Sequence, residues 1–236
     1  MLTVIVIAKE CVPGRVKTRL TPDLTFEQAA VVASASLADT LDVVRLLPAT
    51  RRILAFDGDP AMAPPQAAGF EIIPQAAGGL DARLADVFDR CSGPTLLVGM
   101  DTPQLTREHL APVLAWAEDP SRSHPSHRDG TGRPDHTEGW IGLSTDGGFW
   151  ALAMADPDGS LIEGVPMSQD DTGSIQLRRL QDSGLTVGLL AELTDVDTAQ
   201  DAAQVAAQAP DGRFAAAWQA TQYPAGHTLE LAESRS

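Results

Sequence analysis

The first apolar positions of the chain come almost without interruption: Leu2 to Ala8 contains Thr3 as its one polar residue, and Val and Ile dominate. A run with no polar face predicts a strand buried on both sides, as in the middle of a parallel sheet. A loop holding Pro13 and Gly14 follows. Thr25-Phe26-Glu27-Gln28 then has the form of a capping box. Phe26, Ala30, Ala33, Leu37, Leu41 and Val44 recur at helical spacing, which predicts an amphipathic helix to about Leu47, stopped by Pro48. Further strands are predicted at 52–56, 70–73, 95–100, 140–144, 151–154 and 185–190. Helices are predicted with Leu80, Leu84, Val87 and Phe88 on one face, from a cap at Thr106, over 172–181, and from Thr198 to about 209. The stretch 61–69, rich in Ala, Pro and Gly, is expected to be irregular. Strands alternating with helices imply an α/β fold with a parallel sheet.

Two stretches break the pattern. Residues 119–139 are Ser, His, Pro, Arg, Asp and Gly with almost nothing apolar, and are expected to form a mobile surface insertion, a candidate lid. The spacing of its His124, His127 and His136 matches no zinc signature. Residues 223–236 read as a disordered tail, leaving a single domain over 1–222.

Composition narrows the class. With 236 residues, 43% of them hydrophobic, the chain can bury one full core. Its formal net charge of −15 would repel polyanions, so neither nucleic acid nor an anionic membrane is an expected partner. No apolar run approaches the roughly 18–20 residues that span a bilayer. Leu2–Ala8 lacks the basic flank of a signal peptide, so a cytoplasmic location is expected. Cys11 and Cys91 show no C-x-x-C pattern and are expected to be free thiols.

Against this acidic background one loop stands out. Lys9, Arg15, Lys17 and Arg19 fall within eleven residues of a chain with 17 Lys+Arg against 32 Asp+Glu. A basic, glycine-containing loop just past the end of a first parallel strand is where open α/β sheets hold phosphates. The loop has neither the G-x-x-x-x-G-K-[ST] nor the G-x-G-x-x-G spacing, and taken alone it could equally be a solvated turn. A second flexible loop, 75–79, ends in Gly78-Gly79 and leads to Arg83 in the first turn of a helix. That is a poor place for a cation on dipole grounds, so Arg83 is a candidate anion contact or an ordinary surface residue. Asp101 ends the apolar strand 95–100; it could serve as a turn former or, beside a diphosphate, as a Mg²⁺ ligand. Asp146-Gly147-Gly148 fits a hairpin turn, or a backbone that approaches a ligand closely. Thr198 and Asp201 make a capping box, which leaves Asp195 and Asp197 as spare carboxylates.

Four segments together resemble a known family. Ala8-Lys9 with Pro13-Gly14-Arg15-Val16-Lys17-Thr18-Arg19-Leu20 resembles the A-K-x-P-x-x-G-x-V-K-T-R-L opening of small bacterial GT-A-fold transferases, described as glycosyltransferase-like or nucleotide-diphospho-sugar transferases. Gly99-Met100-Asp101-Thr102-Pro103-Gln104-Leu105 is similar to its G-x-D-x-P-x-L. Asp146-Gly147-Gly148-Phe149-Trp150 is similar to its D-G-G-Y/F, and Asp195-Val196-Asp197-Thr198 with Asp201 to its D-x-D-T-x-x-D. The molybdenum-cofactor and phospholactate guanylyltransferases share the layout more distantly. Glu10-Cys11, Met100 and Met167 depart from the family pattern.

The resemblance implies a Rossmann-like GT-A fold, with helices on both faces of a mostly parallel sheet. It implies a nucleotide held by Ala8, Lys9, Gly14, Lys17 and Arg19, with Gly79 and Arg83 on the facing loop. Mg²⁺ (or Mn²⁺) would lie between Asp101 and Asp197, Lys17 would stabilise the leaving group, and Asp146 would face the acceptor as general base. The implied substrates are a nucleotide sugar or an NTP and a small-molecule acceptor. Two activities stay open: glycosyl transfer from a nucleotide sugar, and nucleotidyl transfer to a phosphorylated acceptor. The loop cations suit a triphosphate slightly better. A non-catalytic nucleotide-binding module is a third reading.

Overall fold

The computed structural model describes residues 1–119 and 137–222. Most of the expected insertion at 119–139, with its three histidines, and the expected tail at 223–236 lie outside the described residues. The strands are β1 (Thr3–Lys9), β2 (Arg51–Asp57), β3 (Glu71–Pro74), β4 (Thr95–Gly99), β5 (Gly139–Leu143), β6 (Phe149–Met154) and β7 (Val187–Leu189). They form one seven-stranded sheet in the order β3-β2-β1-β4-β6-β5-β7. β1 runs parallel to β2 and β4, β2 to β3, and β5 to β7, whereas β6 is antiparallel to both β4 and β5. The 144–148 turn between β5 and β6 is too short for a crossover, so the two strands must be antiparallel. The fold is the α/β fold with a parallel sheet that the pattern implied, in the mostly parallel Rossmann-like form that the resemblance implied.

Among the described residues six helices accompany the sheet: α1 (Phe26–Arg45), α2 (Leu80–Asp89), α3 (Ala111–Glu118), α4 (Thr172–Asp182), α5 (Ala199–Gln208) and α6 (Arg213–Gln222). The period-2 alternation of strand side chains sorts the core into two layers. Val4, Val6, Leu54, Phe56, Leu96 and Val98 face α1 and α3, against Leu37, Leu41, Val44 and Val113. Ile5, Ile53, Leu97, Ile141 and Leu152 face the other way, onto Leu84, Val87 and Phe88 of α2 and Leu180 of α4. The continuous apolar run of β1 is therefore explained by burial on both sides.

A third layer covers the outer face of α1, where Ala29 and Val32 pack with Val205 of α5 and Phe214 and Trp218 of α6. Helix α6 was not expected, because its four alanines dilute the periodic signal. Asp39 of α1 accepts the N–H groups of Arg213 and Phe214 and so fixes where α6 begins.

Both predicted capping boxes are present, Thr25 with Gln28 and Thr198 with Asp201. Three details differ. Helix α3 starts at Ala111 rather than after Thr106, because 106–110 close as tight i to i+3 turns and the Thr106 N–H donates to the His109 ring. Phe26 and Leu80, expected on apolar faces, are 47% and 44% exposed; each opens its helix at the rim instead of facing the core. Cys11 and Cys91 are free, as expected, and burial pushes the Cys11 thiol up to about 11. Among the described residues no helix is long and apolar enough to cross a membrane.

Candidate functional site at the carboxyl ends of the parallel strands

In a parallel sheet the crevice opens where neighbouring crossovers part, beyond the carboxyl ends of the strands. Here the ends of β1 to β4 and the start of β6 open onto a hollow of about 530 Å³. Its centre lies at the end of β4, beside the loop that follows β1. Met100 holds those two segments together: its sulfur accepts the Lys9 N–H at 3.4 Å and its carbonyl accepts the Ser36 hydroxyl at 2.6 Å.

Lys17 reaches this centre from a left-handed backbone position, φ 47°. Its side chain is 7% exposed, and its ammonium lies 2.9 Å from Asp101 Oδ1 and 3.3 Å from Asp197 Oδ1. Burial alone would depress the lysine pKa; Asp101, and then Asp197, outweigh that and hold it above its ordinary value. Arg19, 70% exposed, binds the other oxygen of Asp197 at 2.8 Å. Residues 180 positions apart thus meet because the chain after β7 returns to the end of β4, where the Val196 N–H donates to the Asp101 carbonyl at 3.0 Å.

Asp195 and Asp197, two apart on that return, both line the hollow. Asp195 accepts the Ser144 hydroxyl at 3.0 Å through Oδ2, while its Oδ1 is buried with no hydrogen-bond partner. Burial, then the charges of Asp101 and Asp146, raise its carboxyl to about 7. Sequence reasoning left Asp195 without a role; the D-x-D spacing was the signal that could have assigned it to the hollow.

Of the other predicted residues, Ala8, Lys9, Arg83 and Asp146 line the same hollow, whereas Gly14 and Gly79 do not. Gly14, at φ 74°, turns the loop over Phe26, and Gly79 caps the start of α2. Arg83 is not a free cation: it binds Asp57 Oδ2 at 2.7 Å, Gln75 Oε1 at 3.3 Å and the Gly78 carbonyl at 3.1 Å. The Gln75 amide is itself fixed on the carbonyls of Ala8 and Ala55. Asp57 and Gln75, at the ends of β2 and β3, join the lining and were missed because each reads as an ordinary turn residue.

The cations of the lining, Lys9 at the end of β1, Lys17 and Arg19 on the loop after it and Arg83 on α2, gather toward the β3-β2-β1 half, where Asp57 pairs with Arg83. On the β6-β5 side the described lining is Asp146, Gly148, Phe149, Trp150, Met167, Ser168, Thr172 and Asp195, two carboxylates and no cation. Ser168 holds φ 59°, the kind of unfavourable backbone that collects at binding sites.

The donor set suits a hard divalent ion. Asp101 and Asp197 turn one oxygen each toward a common point, and Mg²⁺ or Mn²⁺ typically takes one or two carboxylates and completes its shell with water and phosphate oxygens. Among the described residues no group of three or more His, Cys, Asp or Glu could hold a metal. Ligand phosphates would have to supply the rest.

The Asp146-Gly147-Gly148 turn uses Gly147 for packing. Gly147 has φ 88°, and a Cβ there would overlap the Asp170 carbonyl; the Gly173 N–H donates to the Gly147 carbonyl at 2.8 Å. Gly147→Ala is therefore expected to destabilise the protein by about 1–3 kcal/mol through backbone strain, with the overlap adding to it. Urea unfolding measures this, and a wild-type midpoint would show that the turn and the 170–173 segment do not interlock.

The solved structures that resemble this chain share its architecture. A candidate nucleotide-diphospho-sugar transferase from Desulfovibrio desulfuricans G20 superposes with a TM-score of 0.68 at 21% identity, over 85% of this chain and 84% of that one. Rv0371c from Mycobacterium tuberculosis H37Rv gives 0.52 at 21%, over 86% and 96%. A CMP:2-keto-3-deoxy-manno-octonic acid synthetase complexed with CTP gives 0.52 at 15%, over 89% and 99%. Identities this low establish the fold alone. Among curated proteins, none matches the sequence. A family model matches residues 40–169, more than half of the chain, a stretch that includes Asp101 and Asp146 but not Lys17 or Asp197. On that match the chain belongs to the family described as "Uncharacterized protein conserved in bacteria (DUF2064)".

Proposed function

We propose that the protein is a transferase acting on a nucleotide-activated donor, with Mg²⁺ or Mn²⁺ held by Asp101 and Asp197, and that the donor is a nucleotide sugar. The observation that carries this reading is the meeting of Lys17, Asp101 and Asp197 at one point of the crevice. The cationic half of the hollow suits the nucleotide diphosphate. A bound divalent ion would neutralise charge developing on the leaving diphosphate. Lys17 and Arg19 do the same from the protein side, where pre-aimed cations are most effective in a partly dry site. On the opposite side an acceptor hydroxyl attacks the anomeric carbon, the bond from that carbon to the diphosphate oxygen breaks, and the electron pair leaves with the nucleoside diphosphate. Asp146 takes the hydroxyl proton; its Oδ1 is fixed by the Gly148 N–H at 2.9 Å. The fold shared with a candidate nucleotide-diphospho-sugar transferase and with a CTP-bound synthetase supports nucleotide use.

Nucleotidyl transfer to a phosphorylated acceptor is the second reading, favoured by the number of loop cations. The carboxylate-lined acceptor side weighs against it, since a phosphate monoester placed beside Asp146 and Asp195 would meet like charge. Products decide: with Mg²⁺ and a panel of nucleotide sugars and NTPs, release of nucleoside diphosphate supports the first reading and release of pyrophosphate the second. Lys17→Ala and Arg19→Ala are each expected to weaken nucleotide binding by about 1.5–3 kcal/mol, the range for a charge-assisted contact, with exposed Arg19 at the low end. Calorimetric titration measures it. Unchanged affinity in both variants would reduce the loop to a surface turn.

A further inference from the structure

The same two carboxylate oxygens that a divalent ion would need are already in use. Lys17 Nζ sits on Asp101 Oδ1 and Asp197 Oδ1 at 2.9 and 3.3 Å, nearly buried, while Arg19 covers the remaining oxygen of Asp197. Two carboxylates and two cations form a charge-balanced set. A divalent ion bound to those oxygens at about 2.0–2.1 Å would stand against the Lys17 ammonium and leave the set with two surplus positive charges. A diphosphate removes both objections, because it offers the ammonium new acceptors and brings the missing negative charge. Lys17 is also one of two non-glycine residues with positive φ among those described, the other being Ser168 in the lining of the same hollow.

We infer that Lys17 holds the place of the metal in the free protein, so that the divalent ion binds only together with the polyphosphate that draws Lys17 away. The protein then takes the metal–nucleotide complex as a unit and binds free metal poorly. This rests on the nucleotide-transferase reading for its polyphosphate, but the competition between Lys17 and metal can be read without any nucleotide.

The test titrates the full chain with Mn²⁺ alone, following free Mn²⁺ by electron paramagnetic resonance, for wild type and Lys17→Met. Binding at least tenfold tighter in Lys17→Met, abolished by adding Asp101→Asn, is expected. Equal Mn²⁺ affinity in both, or no binding by Lys17→Met, overturns the inference. A second measurement uses wild type only and guards against a misfolded variant. Saturating inorganic pyrophosphate should tighten Mn²⁺ binding to the protein at least tenfold, and by linkage Mn²⁺ should tighten pyrophosphate binding by the same factor. Independent binding of the two overturns the inference. A protein that binds neither nucleotide nor pyrophosphate sinks the transferase reading instead, and the Mn²⁺ comparison between wild type and Lys17→Met still decides the Lys17 competition.

Discussion

Asp101→Asn is expected to lower turnover at least a hundredfold while leaving the fold in place. The side chain projects from the end of β4 into the hollow, where Oδ1 holds Lys17, whereas its structural tie to the returning chain is made by the main-chain carbonyl to Val196. Asn keeps the shape and that carbonyl bond but removes the charge. Losing one pre-aimed electrostatic group from an active site typically costs about 2.7–4 kcal/mol of transition-state stabilisation, a factor of 10² to 10³. Lys17, nearly buried, would keep Asp197 as its remaining ion-pair partner, so a modest loss of stability, about 1–3 kcal/mol, should accompany the loss of rate. The same change removes a charge that raises the Asp195 carboxyl, which should titrate at lower pH in the variant. Product release under single-turnover conditions, with thermal unfolding as the control for folding, separates these effects. Undiminished activity in a folded Asp101→Asn protein would remove the acid from the chemistry and from the metal site together.

The framework was legible because each strand and helix carries its own signal. The nearly continuous, Val- and Ile-rich apolar run of Leu2–Ala8 read as a doubly buried strand, and Thr25 with Gln28 marked the start of α1 to the residue. The centre of the site was legible in part. Lys17, Asp101 and Asp197 were singled out as a basic loop, an acid at the end of a strand and an acid ahead of a cap, and the fold brings both acids within 3.3 Å of the Lys17 ammonium. What local pattern does not encode is partnership across the sheet. Arg83 read as either an anion contact or an ordinary surface residue, yet Asp57 and Gln75, on neighbouring strand ends, already engage it. Gly147 read as part of a hairpin turn or of a close approach to a ligand, yet it is needed for contact with Asp170. Asp195 read, like Asp197, as a spare carboxylate, and only the third dimension places it between Ser144 and the acidic side of the hollow. Nor does a stripe of residues tell which end of it stays at the rim, as Phe26 and Leu80 do.

Asp195→Asn is expected to make the protein more stable at pH 8 and to leave it nearly unchanged at pH 4. The carboxyl is largely buried, with one oxygen unpaired and two other acids near, and these raise its pKa from about 3.8 in the unfolded chain to about 7 in the fold. A carboxyl whose folded pKa is raised favours folding only while it is protonated. Its stabilising share is complete below about pH 4, declines as pH rises, and is lost once pH passes the folded value near 7. At about 1.36 kcal/mol per unit, the wild type forgoes on the order of 3–4 kcal/mol between those limits as an upper bound, since relaxation and water at the hollow reduce it. Asn cannot ionise and can still accept the Ser144 hydroxyl, so it mimics the protonated acid at every pH. The difference in unfolding free energy between variant and wild type should therefore grow from near zero at pH 4 to its full size by pH 8. The measurement is made in chelator, so that no metal adds a second linkage. A difference that stays flat across this range would mean that Asp195 is solvated in the fold and ionises as an ordinary carboxylate.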